Sequence, residues 1–334
     1  MKKRIFAVAC LSVGLAFNSC SDDDDVVDGR FDRAELFATS NTNGNVTIYD
    51  FSSGSSVETT TLTTPSSNNE GVRYNATLNE LYVSSISDDQ LYVINDVDTQ
   101  ITGLAGAAQS VVTGPTDLDT PRAIAFRGNA IIVADSEDDA LYVYIKAGDA
   151  ITLRNRVDVD FEVWGIDFVN DDLYAVKDGG NGLAIFENFF VNFAATGFED
   201  PTKSISIEGI VRTHGIFYSQ EDDILFMTDI GDAGSDDDGG FHIIDNPVTK
   251  FGGLADGSVL TVANNQVRTS GAATLMGNPV DITYDAESNT VFVAEKANGG
   301  GRILGFNNIS GGNVAPSLNN TLSGASSVDF YGED

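Results

Sequence analysis

Cysteine is nearly absent. The chain of 334 residues holds two, Cys10 and Cys20. Everything downstream of residue 20 is therefore built without a disulfide, a thiolate metal site or a cysteine nucleophile. Cations are scarce as well: 18 Lys and Arg stand against 50 Asp and Glu, for a net charge of −32. Nucleic-acid binding works by neutralising phosphates with Lys and Arg, so this balance excludes nucleic acid as a partner. The apolar run from Ile5 to Phe17 falls short of the roughly 20 residues that cross a bilayer. No segment keeps a helical period. No phosphate loop, nucleotide fingerprint or Ser-His-Asp set is present, and Gly299-Gly300-Gly301 reads as a hairpin turn.

What is present begins at the N-terminus. The basic start Met1-Lys2-Lys3-Arg4, the short apolar run and the small residues Asn18-Ser19 before Cys20 have the layout of a secretory signal. This segment resembles the signal of bacterial lipoproteins, which implies lipid on Cys20; ordinary cleavage and secretion is the alternative. Ser21 followed by Asp22 to Asp25 is by charge alone a solvated tail. Directly after the cysteine, it resembles the surface-export signal of Bacteroidetes-type lipoproteins. The expected division is a signal peptide over 1–19, a lipidated cysteine and acidic tether over 20–33, and one domain over 34–334. The resemblance implies outer-membrane attachment facing the exterior, with the membrane touched only through the lipid.

The rest of the chain is organised by a repeat. Arg122-Ala123-Ile124-Ala125-Phe126, followed by Ile131 to Asp135 and Leu141 to Tyr144, returns five times. The closing aromatics are Tyr74, Phe126, Phe168, Tyr218, Tyr284 and Phe330, spaced roughly 40 to 65 residues apart, the period of propeller blades. Two residues before each stands a β-branched residue, and three before a residue that is mostly small: Gly71, Ala123, Gly165, Gly215, Asp281, Ser327. Four before, the chemistry diverges into Glu70, Arg122, Trp164, His214, Val280 and Ser326. Short β-branched and aromatic runs separated by Gly, Asn and Asp are strands and hairpins. The first unit lacks its leading segment, and the chain ends on a leading segment, Ser326 to Phe330, with nothing after it. The expected fold is all-β: a six-bladed β-propeller of four-stranded antiparallel blades, closed by the C-terminal strand completing the N-terminal blade. That closure removes a free sheet edge. Outer strands are expected at Val57–Leu62, Ser206-Ile207 and Val259–Val262.

Val133-Ala134-Asp135-Ser136 with Leu141-Tyr142-Val143-Tyr144 resembles the core of an NHL repeat, which implies the propeller fold far more than a function. In such a ring the starts of the innermost strands and the ends of the second strands share one face. The first set is the column headed by Glu70; the second is Ser40, Ser85, Asp135, Lys177, Asp229 and Glu295. The candidate funnel site is Glu70, Arg122, Trp164, His214, Asp135 and Lys177, suited to a polar or carbohydrate-like ligand. The bland alternative is that Glu70 and Arg122 pair to plug the channel while Trp164 packs. His214 as a general base lacks an identifiable nucleophile, and His242 reads as structural.

A second candidate is the acidic loop from Asp229 to Gly240, where Asp229, Asp232, Asp236 and Asp238 offer oxygens suited to calcium. A solvated surface loop is the competing reading, because the spacing misses the EF-hand pattern. Metal-dependent gluconolactonase propellers carry carboxylate and amide ligands on this same face, and Glu70 falls where one such ligand would stand. Arg122, Trp164, His214 and Val280 depart from that set. The leading expectation is a non-enzymatic binding or protein-interaction module for an extracellular glycan, peptide or surface protein. The alternatives are a calcium-type hydrolase such as a lactonase, and an architectural subunit of an outer-membrane surface complex.

Overall fold

A computed structural model of the protein describes residues 33–53, 56–103, 105–307 and 310–333. The signal segment, Cys20 and the acidic run lie outside the described residues. The described chain is a six-bladed β-propeller. Its innermost strands are, in ring order, Ala325–Glu333, Asn69–Asn75, Pro121–Arg127, Val163–Val169, Ile216–Ser219 and Pro279–Asp285. Each pairs antiparallel with the strand beside it in its blade.

Ring closure follows the sequence expectation. Ala325–Glu333 pairs antiparallel with Arg33–Ser40, with Leu36 opposite Phe330 and Ala38 opposite Val328. The last strand thus completes the first blade, and no open edge is left between the two chain ends.

The seams between blades hold the core. Val72 and Tyr74 of the second blade pack with Phe37 and Ile48 of the first. Ile166 and Phe186 of the fourth pack with Ile132 and Val143 of the third. These strands are covered on both faces, so they read as continuous apolar runs rather than alternating ones. The small-residue column has a steric cause. A Cβ on Gly71 would lie 2.9 Å from the Arg122 carbonyl oxygen, and one on Gly215 would lie 2.7 Å from Cα of Asp281. The innermost strands approach within a methyl group of one another near the axis.

The departures from expectation in the blades lie at the rim. Of the stretch expected as an outer strand at Val259–Val262, Val259–Leu260 forms a short strand, but it pairs parallel with Ser206 and Ile207 of the fourth blade. The outer strand of the fifth blade is instead Val267–Ser270. Rim strands are half-exposed and carry little apolar periodicity, which is why VRTS gave no signal. Two further rim strands, Gly106–Ala107 and Gly197–Phe198, add in parallel to the first and third blades.

Short helices also interrupt the rim, at Val97–Thr102, Phe189–Asn192 and Pro247–Gly252. They are too short for a 3.6-residue period to register. Each follows a residue in left-handed conformation, Asp96, Asn188 or Asn246, residue types that tolerate it.

On the axis, the residue before each closing aromatic supplies a feature that the sequence reading passed over. Arg73, Asp167 and Asp329 come from that column, and Asp281 joins them from the small-residue column. Arg73 Nη1 pairs with Asp329 Oδ1 at 3.1 Å, and Arg73 Nε donates to the Ile124 carbonyl at 3.1 Å. Asp167 accepts the Tyr218 amide, and Asp281 accepts the Val328 amide and the Ser327 hydroxyl. The void left beside them is about 10 Å³, so the channel is closed at this level.

Candidate functional site

The innermost strands start, and the second strands end, on one face of the ring. Here four residues of the diverging column form a continuous chain of contacts, while Ser326 bonds to Thr39 and the Asn69 carbonyl and Val280 packs into a core cluster. Lys296 Nζ stands 3.8 Å from Glu70 Oε1, and Asn41 Nδ2 donates to the same oxygen at 3.2 Å. Arg122 Nη1 reaches Glu70 Oε1 at 3.4 Å, while its Nε donates to the Ser136 hydroxyl at 2.9 Å. The Arg122 guanidinium lies 4.1 Å from the centre of the Trp164 ring. The His214 imidazole stacks on Trp164 at 3.5 Å with 4° between planes. His214 Nε2 lies 3.0 Å from Asp178 Oδ1, and Arg212 holds both Asp178 oxygens, at 2.6 and 2.8 Å.

The blade order places Arg122 and His214 on opposite sides of Trp164, so both faces of the indole are occupied. A ligand would meet its edge, and the flat platform that usually stacks on a sugar is not offered. Burial pushes the His214 imidazole down to about 4, against the pull of the Asp178 hydrogen bond and charge. The ring is therefore neutral near pH 7, with its Nε2 proton donated to Asp178. Burial works against the Asp178 carboxylate too, but the His214 hydrogen bond and the Arg212 guanidinium outweigh it and hold it well below the usual range. His214 Nδ1 is buried without a hydrogen-bond partner among the described residues. Among the described residues no hydroxyl is hydrogen-bonded to this imidazole, whose one side-chain hydrogen bond is to Asp178.

The six residues of the second set do a different job. Asp135 accepts the amides of Asp119, Thr120 and Asp138 at 2.8 to 3.2 Å. Asp229 accepts the Val211 amide at 2.9 Å and pairs with Arg268 at 2.7 Å. Glu295 accepts the amides of Gly277, Asn278, Ala297 and Asn298. Ser40 donates to the Ser323 carbonyl and Ser85 to the Ser66 hydroxyl. In each blade the side chain that ends the second strand ties down the segment entering the innermost strand. Lys177 does so through an aromatic contact, its Nζ 4.3 Å from the Phe161 ring centre. Burial raises the Asp135 and Glu295 carboxyls, against the backbone hydrogen bonds that lower them.

The residues one place further along are the ones that touch the inner column: Asn41, Ser136, Asp178 and Lys296. Sequence reasoning missed these four and Arg212. The signal was there, because strand side chains alternate and a shift of one residue changes the face they serve.

In the acidic loop, Asp232 Oδ1 accepts the Gly234 amide, and Asp238 Oδ2 accepts the Asp232 amide at 3.0 Å. The Asp236 carbonyl accepts from Asn298, and Asp229 is turned inward to Arg268. Among the described residues no group of three or more His, Cys, Asp or Glu side chains is arranged to hold a metal ion. Asp232 and Asp238 thus accept backbone amides of the loop itself, and Asp229 pairs with Arg268 outside it. His242 sits buried in its blade, its Nδ1 against Gln266.

No protein-family model matches the chain, and no curated protein sequence matches it. Solved structures do. A chain of a nidogen–laminin complex is similar over 89% of this chain and 98% of its own, with a TM-score of 0.62 and 12% identity. The WD40 β-propeller domain of Doa1 is similar over 89% and 82%, with a TM-score of 0.54 and 10% identity. A putative 6-phosphogluconolactonase from Bacteroides uniformis is similar over 89% and 84%, with a TM-score of 0.53 and 12% identity. At these identities the likeness is one of fold.

Proposed function

We propose that the protein is a cell-surface binding module, a lipid-tethered propeller whose funnel face takes an acidic extracellular glycan. The observation that carries this reading is local charge. The inner column and the strand ends beside it carry Arg122, Lys177, Arg212 and Lys296; of the carboxylates there, Glu70 and Asp178 pair with these cations, and Asp135, Asp229 and Glu295 are fully buried on backbone amides, Asp229 also on Arg268. Elsewhere the chain is overwhelmingly acidic, at −32 overall. An anionic ligand is repelled by most of this surface and drawn to one mouth, and such a field also guides encounter. Arg212 and Lys296 keep 35% of their side chains exposed. The buried Asp178 and Glu70 hold Arg212, Arg122 and Lys296 in place and offset two of the four positive charges. The hydrolase alternative draws less support, since of the carboxylates it would use Glu70 is paired with Arg122 and Lys296, and Asp135 and Asp229 are committed to backbone amides and to Arg268.

The test is titration of the lipid-free domain with a uronate-rich or sulfated oligosaccharide and its neutral counterpart. The wild-type protein should bind the acidic form, more weakly as salt rises. Arg122→Ala with Lys296→Ala should reduce affinity at least about tenfold, or about 1.4 kcal/mol. Unchanged affinity in the double variant would remove the funnel from consideration.

The tether rests on the N-terminal pattern ending at Cys20. Cys20→Ser should move the protein from the membrane fraction to the soluble one and abolish incorporation of labelled fatty acid. Membrane retention by this variant would rule the anchor out.

A further inference from the structure

Lys177 closes the second strand of the fourth blade, Asp172–Lys177, and departs from the rest of its set. At the same place in the other blades, Ser40, Ser85, Asp135, Asp229 and Glu295 spend their side-chain oxygens on the chain itself. A lysine has three donors and no acceptor, so it cannot hold backbone amides as those carboxylates do. Among the described residues the Lys177 ammonium has no hydrogen-bond or ion-pair partner, and its Nζ stands 4.3 Å from the centre of the Phe161 ring. Asp178, the next residue, is spent on His214 and Arg212. Neither Asp160 nor Glu162, the exposed carboxylates flanking Phe161, pairs with it.

The fold makes room for this side chain. Gly182 stands opposite Lys177 on the third strand, and a Cβ there would lie 3.1 Å from Cβ and from Cδ of Lys177. The stem is thus packed against Gly182 and the ammonium against Phe161, with its donors unspent. A cation already held in this way has less freedom to lose when a ligand arrives.

The sheet sets its position relative to the other funnel cations. Arg122 and Lys296 gather on Glu70, and the Arg122 guanidinium lies against Trp164. Trp164 is the neighbour of Val163, which Lys177 faces across the first two strands of the blade. Lys177 therefore stands one strand, about 4.8 Å, further from the axis in the blade that carries Trp164. On the reading that the funnel takes an acidic glycan, we infer that Lys177 is a second anion subsite, offset outward from the one at Arg122 and Lys296. The ligand then carries acidic groups on at least two sugar units. A glycan with a single acidic group engages one subsite at a time.

The experiment is calorimetric titration of the lipid-free protein with three trigalacturonates. One has all its carboxylates free, one has a single carboxylate free and the others methyl-esterified, and one is fully esterified. The fully acidic trimer should bind at least about tenfold more tightly than the singly acidic one, because the second contact forms within the same complex. Lys177→Met should bring these two to within about threefold of each other, while changing the singly acidic trimer by no more than about twofold. Lys177→Arg should keep the preference, and both variants should keep the wild-type tryptophan spectrum. Equal affinity of the fully and singly acidic trimers for the wild type would overturn the second subsite and leave the funnel reading standing. So would an undiminished preference in Lys177→Met, or a preference lost together with a changed tryptophan spectrum, which would make Lys177 a packing residue. No preference for either acidic trimer over the full ester would remove the funnel reading, and the second subsite with it.

Discussion

Replacing Arg73 with leucine is expected to cost about 3–5 kcal/mol of stability at pH 7.5, the range seen when one partner of a buried ion pair is removed. In a domain of this size that lowers Tm by roughly 10 °C. Among the described residues, Arg73 is the one cation facing Asp167, Asp281 and Asp329 on the closed axis. Burial works against its charge, but the three carboxylates hold it protonated. They are not fully compensated in return. Burial pushes Asp329 up to about 6 from an ordinary 3.8, and raises Asp167 and Asp281 as well, despite the pull of Arg73.

The pH dependence follows from that sign. A carboxyl whose folded value lies above its unfolded one binds more protons in the native state over the interval between them. The cost of keeping Asp329 ionised is thus fully present above about pH 6 and is relieved as pH falls toward 4. Without Arg73 the three carboxyls shift further up, so the gap in Tm between wild type and Arg73→Leu should be widest at neutral pH and shrink near pH 5. Thermal melts of both proteins from pH 5 to 8 measure this gap. A gap that does not change with pH would mean that the axial charges are not coupled as their geometry indicates.

Gly165→Ala should cost about 3 kcal/mol, at the upper end for inserting a methyl group into a packed interior. The added Cβ would stand 2.2 Å from the His214 carbonyl oxygen and 3.1 Å from Cγ2 of Ile216. A backbone oxygen held in a seam cannot step aside as a side-chain tip can, so the innermost strands of the fourth and fifth blades must part. Trp164 is the neighbour of Gly165, and its stack on His214 spans the same seam. The near-ultraviolet signal of this single tryptophan should therefore change together with the denaturation midpoint. The reverse substitution at the equivalent place in the third blade, Ala123→Gly, provides the control. It removes a methyl that fits and should cost about 1 kcal/mol, mostly through backbone entropy. Full stability and an unchanged tryptophan spectrum in Gly165→Ala would show that the column is not kept small by this contact.

Much of the architecture was legible because it repeats. One closing aromatic is uninformative, but six at blade spacing, each preceded by a β-branched and usually a small residue, define the innermost strands. An unpaired leading strand at the C-terminus then fixes how the ring closes. The rim was poorly legible for the opposite reason. Val267–Ser270 is held by backbone pairing to Gly240–Asp245, and backbone hydrogen bonds leave no mark on side-chain pattern. The site was half legible. The column of Glu70, Arg122, Trp164 and His214 is contiguous as read, whereas the second set was read one residue early. Asp135, Asp229 and Glu295 are carboxylates that satisfy backbone amides; Asn41, Ser136, Asp178 and Lys296 are the residues that reach the funnel.

The sequence by itself determined the number of blades, the closure of the ring and the face on which chemistry varies. Those follow from periodicity and from the count of strands at the two ends, which are properties of order along the chain. Which side chains meet was decided only by the tertiary structure. The sandwich of Trp164 between Arg122 and His214 joins three blades, and the axial cluster on Arg73 joins four strands far apart in sequence. Such contacts depend on how the blades are rotated and how closely they approach. A pattern that repeats within each blade carries no record of either.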